Sequence, residues 1–447
     1  MEQITVVFFV TTAIALITTY WQGKATKTWK TEESVFQTHY LVVYGLAYFA
    51  DWLKGPYVYA LYQSYGLSEE KIAFLFIVGF ASSGISGPFV GGLADSLGRK
   101  RMALAYFIIY MASALCKPFQ DYDTLLLGRV LGGIGTSLLT TTFESWMVSE
   151  HQKRKYSQEL LDDTLSKTTI LNSATAILAG IIAQIAAQHY GYIAPFILAL
   201  CPLTTGFLIC LRFWTENKGS DTKTSTLSFK DVRTVLGTNL WILGGTQSLF
   251  LGAMYTFVFL WTPALAGASA IPHGIVFSTF MAMICIGTTI FKCFSAQVEM
   301  LPYVIFGISA ISCGVTVISM GNTTWVFSSF MAFELACGIM FPTYGSLRSK
   351  YVPDEHRTTI MNIYRIPLNL FVVLVLINKR FMSLQVVFGI CCATHLISLG
   401  AWYFFRPEIK VLDGKEYEMG RIRDEEEDFG NISDELESDI SDSDEIF

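Results

Sequence analysis

The chain has 447 residues, 52% hydrophobic and 15% charged, with a formal net charge of −6. Globular chains average about 25% charged residues, so a set of water-soluble domains, a nucleic-acid binder and a disordered scaffold all describe it poorly. Twelve acidic residues and no basic ones fall between Asp424 and Phe447, which leaves the rest of the chain mildly basic.

Apolar runs of about 20 residues, long enough to cross about 30 Å of hydrocarbon, recur along the chain. The first runs from Ile4 to Trp21. Its start is acidic (Glu2), basic residues follow it, and no A-x-A site follows the run. An uncleaved extra membrane helix over 1–21 is therefore expected rather than a signal peptide. A basic loop over 22–37 follows. Twelve more helical spans are expected at 38–62, 71–92, 102–118, 124–149, 166–188, 191–213, 239–262, 274–294, 301–320, 324–346, 359–377 and 382–405. Membrane barrel strands are about half as long and alternate in polarity, so these spans read as helices. The polar stretch 214–238 splits them into a six-helix bundle over 38–213 and a second over 239–405. Residues 406–447 form the remaining tail, whose acidic end reads as a solvated cytoplasmic segment.

Orientation follows the Lys/Arg-rich loops. Lys24/Lys27/Lys30, Arg99/Lys100/Arg101, Lys153/Arg154/Lys155 and Arg348/Lys350/Arg357 lie on alternate loops. Those loops are expected to be cytoplasmic, with the N-terminus outside and the C-terminus inside. The pair Lys379/Arg380 is the exception to the pattern. The nine cysteines lie in or beside apolar runs with irregular spacing and no CxxC pair, which reads as small buried hydrophobes.

The halves repeat. Phe143-Glu144 recurs as Phe333-Glu334, and Lys167-Thr168-Thr169-Ile170-Leu171-Asn172 recurs as Arg357-Thr358-Thr359-Ile360-Met361-Asn362, both at an offset of 190. Corresponding spans are six apart, so the repeats share one topology, the parallel arrangement of major facilitator transporters.

The loop after the second core span reads Gly91-Gly92-Leu93-Ala94-Asp95-Ser96-Leu97-Gly98-Arg99-Lys100-Arg101. It resembles the major facilitator signature, with Ser96 where a basic residue is usual. Gly91, Asp95, Gly98, Arg99 and Lys100 are the expected gating motif: glycines permit a tight reversal and close helix approach, and Asp95 can accept hydrogen bonds at a helix end. Gly128-Arg129-Val130-Leu131-Gly132 resembles a second family pattern, and small residues at 128, 132, 136 and 140 form a stripe suited to close helix packing.

A narrower resemblance rests on Asp51-Trp52-Leu53-Lys54-Gly55-Pro56-Tyr57, Phe143-Glu144-Ser145-Trp146, Phe259-Leu260-Trp261-Thr262-Pro263, Glu334-Leu335-Ala336-Cys337-Gly338 and Tyr364-Arg365-Ile366-Pro367-Leu368. Over residues 1–405 the chain resembles the eukaryotic molybdate-anion transporters. The resemblance implies an all-α polytopic membrane protein of the major facilitator fold, with two parallel six-helix bundles plus an extra N-terminal helix. It also implies uptake of molybdate, a tetrahedral oxyanion, by alternating access.

Ionisable groups within spans are functional candidates by default. Six stand out: Asp51, Lys54, Arg129, Glu144, Glu334 and Arg365. Arg365 heads the expected substrate ligands, because its planar fork suits an oxyanion and Pro367 opens the helix nearby. Arg129, Lys54, Tyr57, Asn362 and Asn172 complete that set. For the two asparagines, helix–helix hydrogen bonding is the alternative role. Glu334, Glu144 and Asp51 are the expected proton- or charge-coupling groups, with Glu334 balancing Arg365 in an empty site. No Walker loop, dinucleotide fingerprint, zinc spacing or nucleophile elbow occurs in the sequence. No enzyme activity, metal, cofactor or nucleic-acid partner is expected. A monomer in contact with membrane lipid, most simply the plasma membrane, is. A transporter of another small solute or a drug exporter, and a non-transporting membrane sensor or scaffold, are the alternative readings.

Overall fold

The computed structural model describes residues 2–22, 29–218, 237–266, 271–352 and 357–405. Residues 219–236 of the expected linker and the tail from 406 lie outside the described residues. Among those described there are helices and no strand. They are α1 (Glu2–Gln22), α2 (Thr31–Lys54), α3 (Val58–Ser64), α4 (Glu69–Leu97), α5 (Arg99–Leu115), α6 (Tyr122–Lys153), α7 (Gln158–Tyr190), α8 (Ala194–Leu198) and α9 (Leu200–Phe213). After the linker come α10 (Thr238–Leu265), α11 (His273–Cys293), α12 (Leu301–Ile318), α13 (Thr323–Tyr351), α14 (Arg357–Ile377) and α15 (Leu384–Tyr403).

Local chemistry sets several starts. Ser68, Asp121, Ser157, Asn322 and Ser383 each accept a backbone N–H from the first turn of the helix that follows. Asn322, part of an Asn-Thr-Thr sequon, is thereby used as a cap. The first and sixth core spans are not continuous. Gly55 and Pro56 convert the end of α2 into a 3-10 turn over Gly55–Tyr57 before α3 resumes, because proline offers no N–H to the helical ladder. Helices also outrun their apolar cores: α2 begins at Thr31 and α7 at Gln158, with polar first turns.

Among the described residues nine helices are long and apolar enough to cross a membrane. α5, at 17 residues, falls outside that set, as do α1, α2 and α14, yet α2, α5 and α14 pack within the same bundle. Packing repeats between the halves. α4 packs on α6 as α11 packs on α13, α5 on α6 as α12 on α13, and α2 on α9 as α10 on α15. One buried cluster, with Tyr40, Phe107, Phe143, Trp146 and Trp214, is confined to residues 36–214. A second, with Phe250, Phe333, Tyr344 and Trp402, draws mostly on residues beyond 240. The halves meet where α7 crosses α11 and α4 crosses α14.

The first crossing is a backbone contact. A Cβ on Gly274 would lie 2.7 Å from Gln184 Cβ. The Gly274 N–H donates to Gln184 Oε1 (2.9 Å), and the Ser278 hydroxyl donates to the Ile177 carbonyl (2.8 Å). α1 lies along this seam: Phe8 and Ala15 are buried with Ile177 of α7 and Ala282 and Cys285 of α11.

Candidate functional site

A cavity of about 440 Å³ lies between the halves. Its wall is built mainly by α2, α4, α5 and α6, with Tyr255, Arg365, Leu368 and Asn369 contributed by α10 and α14. Among the described residues four cationic side chains line it, Lys54, Lys117, Arg129 and Arg365, with Asp51 as the one lining carboxylate. Thr140 and Thr141 also line a wider vestibule of about 820 Å³ beside Arg99, Glu144 and Lys153. The cavity therefore leads toward the Gly98 end of the bundle. Toward the other end, Lys379 pairs with Glu69 (3.3 Å) across the halves. That pairing gives the exceptional Lys379 a structural partner.

Each cation is held differently. The Lys54 ammonium sits 3.2 Å from the centre of the Tyr110 ring and 4.0 Å from Asp51 Oδ1, a cation–π contact joined to an ion pair. The Tyr110 hydroxyl donates to the same Asp51 oxygen. The Lys117 ammonium, 4% exposed, donates to the Tyr62 hydroxyl (2.7 Å). Arg129 Nε donates to the Leu75 carbonyl (2.9 Å), and the guanidinium stacks on Phe76 (4.8 Å). Arg365 faces the cavity and, among the described residues, has no hydrogen bond or ion pair. A cation at membrane depth is costly without a partner or water, so Arg365 is the cavity's open cationic group.

The glycines of α4 make this possible. A Cβ on Gly79 would lie 2.7 Å from Arg129 Cζ, and one on Gly87 would lie 2.5 Å from Arg365 Nη1. Both forks rest on the helix where side chains are missing. Packing also accounts for the small-residue stripe of α6: a Cβ on Gly128 would meet Cys116 Cβ at 2.8 Å.

The expected ligands do not all converge. Lys54, Arg129, Arg365 and Asp51 do. Tyr57 does not: it is 1% exposed and its hydroxyl donates to Gln184 Oε1 (2.8 Å), which fixes it in the crossing of α7 and α11. Asn172 accepts from Trp52 Nε1 (2.9 Å), a helix–helix bond. The side chain of Asn362 lies outside the described residues. Glu334 is buried in the second cluster's packing on α13, away from the cavity lining, so it does not face Arg365. Glu144 lines the vestibule instead.

In the gating loop, Arg99 Nη2 donates to Asp95 Oδ1 (2.7 Å), and Glu216 accepts from the Lys100 N–H (3.0 Å). Gly98 takes φ 111°, whereas a Cβ on Gly91 or Gly92 would meet nothing within 4 Å. The close approach expected of the first two glycines is thus absent. Lys117 was missed by sequence reading, since it stands at the end of a span and resembles a loop cation. Its only sequence signal is its position beside the apolar run of α5.

Residues 3–339 match the family described as sugar transporters with 12 transmembrane segments. The molybdate-anion transporter of Takifugu rubripes is 33% identical over 372 residues, covering 75% of this chain and 77% of that protein. That of Xenopus laevis is 33% identical over 381 residues, covering 81% and 84%. The chain belongs to the molybdate-anion transporter family of the major facilitator superfamily. It is a multi-pass membrane protein and a transporter. Solved structures agree on the fold: a nucleoside transporter superposes with a TM-score of 0.68 at 11% identity, covering 83% of this chain and 100% of that one. A xylose transporter from E. coli gives 0.64 at 12% identity, covering 84% and 97%.

Proposed function

We propose that this transporter is a secondary active carrier that takes up molybdate by alternating access between two six-helix halves, 38–213 and 239–405. The observation that carries the reading is the cavity that, among the described residues, has four cations and one carboxylate, with no hydrogen bond or ion pair to Arg365. A dianion with four oxygens needs net positive charge and several donors. Arg365 and Arg129 each offer a fork for paired N–H···O bonds at its own place along the cavity, and Lys54 and Lys117 supply point charge. Asp51, held by Tyr110 and Lys54, is the coupling group nearest the site. An apolar drug would gain nothing from this charge, which disfavours the drug-exporter alternative.

In this reading the Gly98 end is cytoplasmic, the cavity opening toward it is the inward-facing state, and the protein works as a monomer in the plasma membrane. Elemental molybdenum uptake by cells expressing the protein, competed by tungstate and sulfate, tests the substrate. Arg365→Ala should lose a charge-assisted contact worth about 2–5 kcal/mol, which raises the half-saturation concentration at least about tenfold. Arg365→Lys should fall between it and wild type. Unchanged half-saturation in Arg365→Ala at normal surface expression would remove Arg365 as a ligand.

A further inference from the structure

We infer that the path holds two anion stations spaced along α4; this rests on the oxyanion reading above. Arg129 lies flat on Gly79, with Cζ 2.7 Å and Nε 2.8 Å from where a Cβ would be. Arg365 lies on Gly87, with Nη1 at 2.5 Å from the equivalent point. The two glycines are eight residues apart on one continuous helix, a separation of about 12 Å at 1.5 Å per residue. The parallel neighbour α6 reports the same offset. Arg129 lies at the level of Gly79, and Ser137, eight residues on, bonds the Ser83 carbonyl (2.8 Å) and lies near Gly87.

Hydrogen bonds of about 2.9 Å from two docked forks so far apart do not converge on one tetrahedral ion. The surrounding groups divide the same way. Lys117, bonded to Tyr62, stands with Arg129, its ammonium 3.4 Å from a Cβ on the adjacent Gly128, while Lys54 rests on Tyr110 between the two levels, since the Tyr110 hydroxyl is 3.3 Å from Thr136 Oγ1. Asn369, which approaches Gly84 with Nδ2 at 3.0 Å from a Cβ there, stands with Arg365. The first station belongs wholly to one half, and the second borrows its arginine from the other. Rocking of the halves therefore dismantles the second station while leaving the first intact, so an anion is handed from one to the other on the way to the vestibule. Two dianions in one cavity repel, which makes the second binding step the weaker.

The probe is tungstate, titrated calorimetrically into the purified full-length protein, with bound tungsten counted by elemental analysis. Wild type should take two ions per chain in two steps. Arg129→Gln should remove the tighter step and Arg365→Gln the weaker. Gly87→Ala, which displaces the Arg365 fork without deleting it, should weaken only the second step. Saturation at one ion, lost alike in both arginine variants, overturns the two stations and leaves the transport reading standing. Folded wild type that binds neither tungstate nor molybdate overturns both.

Discussion

Gly98 is a residue whose backbone alone dictates its identity. Its φ of 111° is a conformation L side chains rarely adopt, and a Cβ there would lie 2.5 Å from Glu216 Cδ. Gly98→Ala should destabilise the protein by about 1–3 kcal/mol, read as a lower thermal midpoint in detergent. Adding Glu216→Ala should recover only part of the loss, because the backbone strain stays. Glu299 carries a pH signature. Burial raises its carboxyl pKa, but hydrogen bonds from Lys350 (2.7 Å) and Tyr351 outweigh this and hold it below the ordinary range. A depressed carboxyl stabilises the fold above its unfolded pKa of about 4.3, and that contribution is lost as pH falls through the folded value. Wild type should therefore be more stable than Glu299→Gln near pH 7, and the two melting curves should begin to approach each other below about pH 4.3 and meet only once the folded-state carboxyl is protonated. Parallel curves would show that the pair contributes nothing through ionisation.

At the scale of elements, the proposed alternating access assigns the crossing of α7 and α11 the role of seal at the Glu69 end. Gly274 permits it, with Gln184 Cβ and N within 2.7 and 2.8 Å of an added Cβ. Gly274→Val should hold the helices apart and favour the state open at that end. A cysteine introduced by Ser83→Cys, which lines the cavity, should be protected from an impermeant thiol reagent outside wild-type cells and become labelled in the Gly274→Val background. Equal protection in both would mean the crossing is not a gate. The legibility of elements was uneven for a physical reason. Span positions follow from runs of apolar residues, a property of the sequence alone. The break at Gly55–Tyr57 also has a local cause, Pro56, but whether a proline bends or merely interrupts a span depends on what packs around it. Tyr57 illustrates the limit: its motif suggested a ligand, and Gln184, 127 residues away, claims its hydroxyl.

For the whole molecule, the Lys/Arg bias predicts that the chain ends lie on opposite faces of the membrane. Epitope tags on intact cells should be accessible at the N-terminus and hidden at the C-terminus until permeabilisation. Tags on one side would mean that α1 does not span.

Composition, the apolar periods and the 190-residue repeat determined by themselves that this is a polytopic helical protein of two related halves, because burial in hydrocarbon constrains every span locally. The signature loop and Asp51-Trp52-Leu53-Lys54 fixed the family on the same local terms. Only the tertiary structure decided which ionisable groups share a site. Lys117, at the end of an apolar run, turns inward onto Tyr62, and Glu334, expected to balance Arg365, packs elsewhere on α13. The reason is geometric. A helix offers a side chain any direction around its axis, and the face that looks into the cavity is set by how α4, α5, α6 and α14 pack, which no single run of residues encodes.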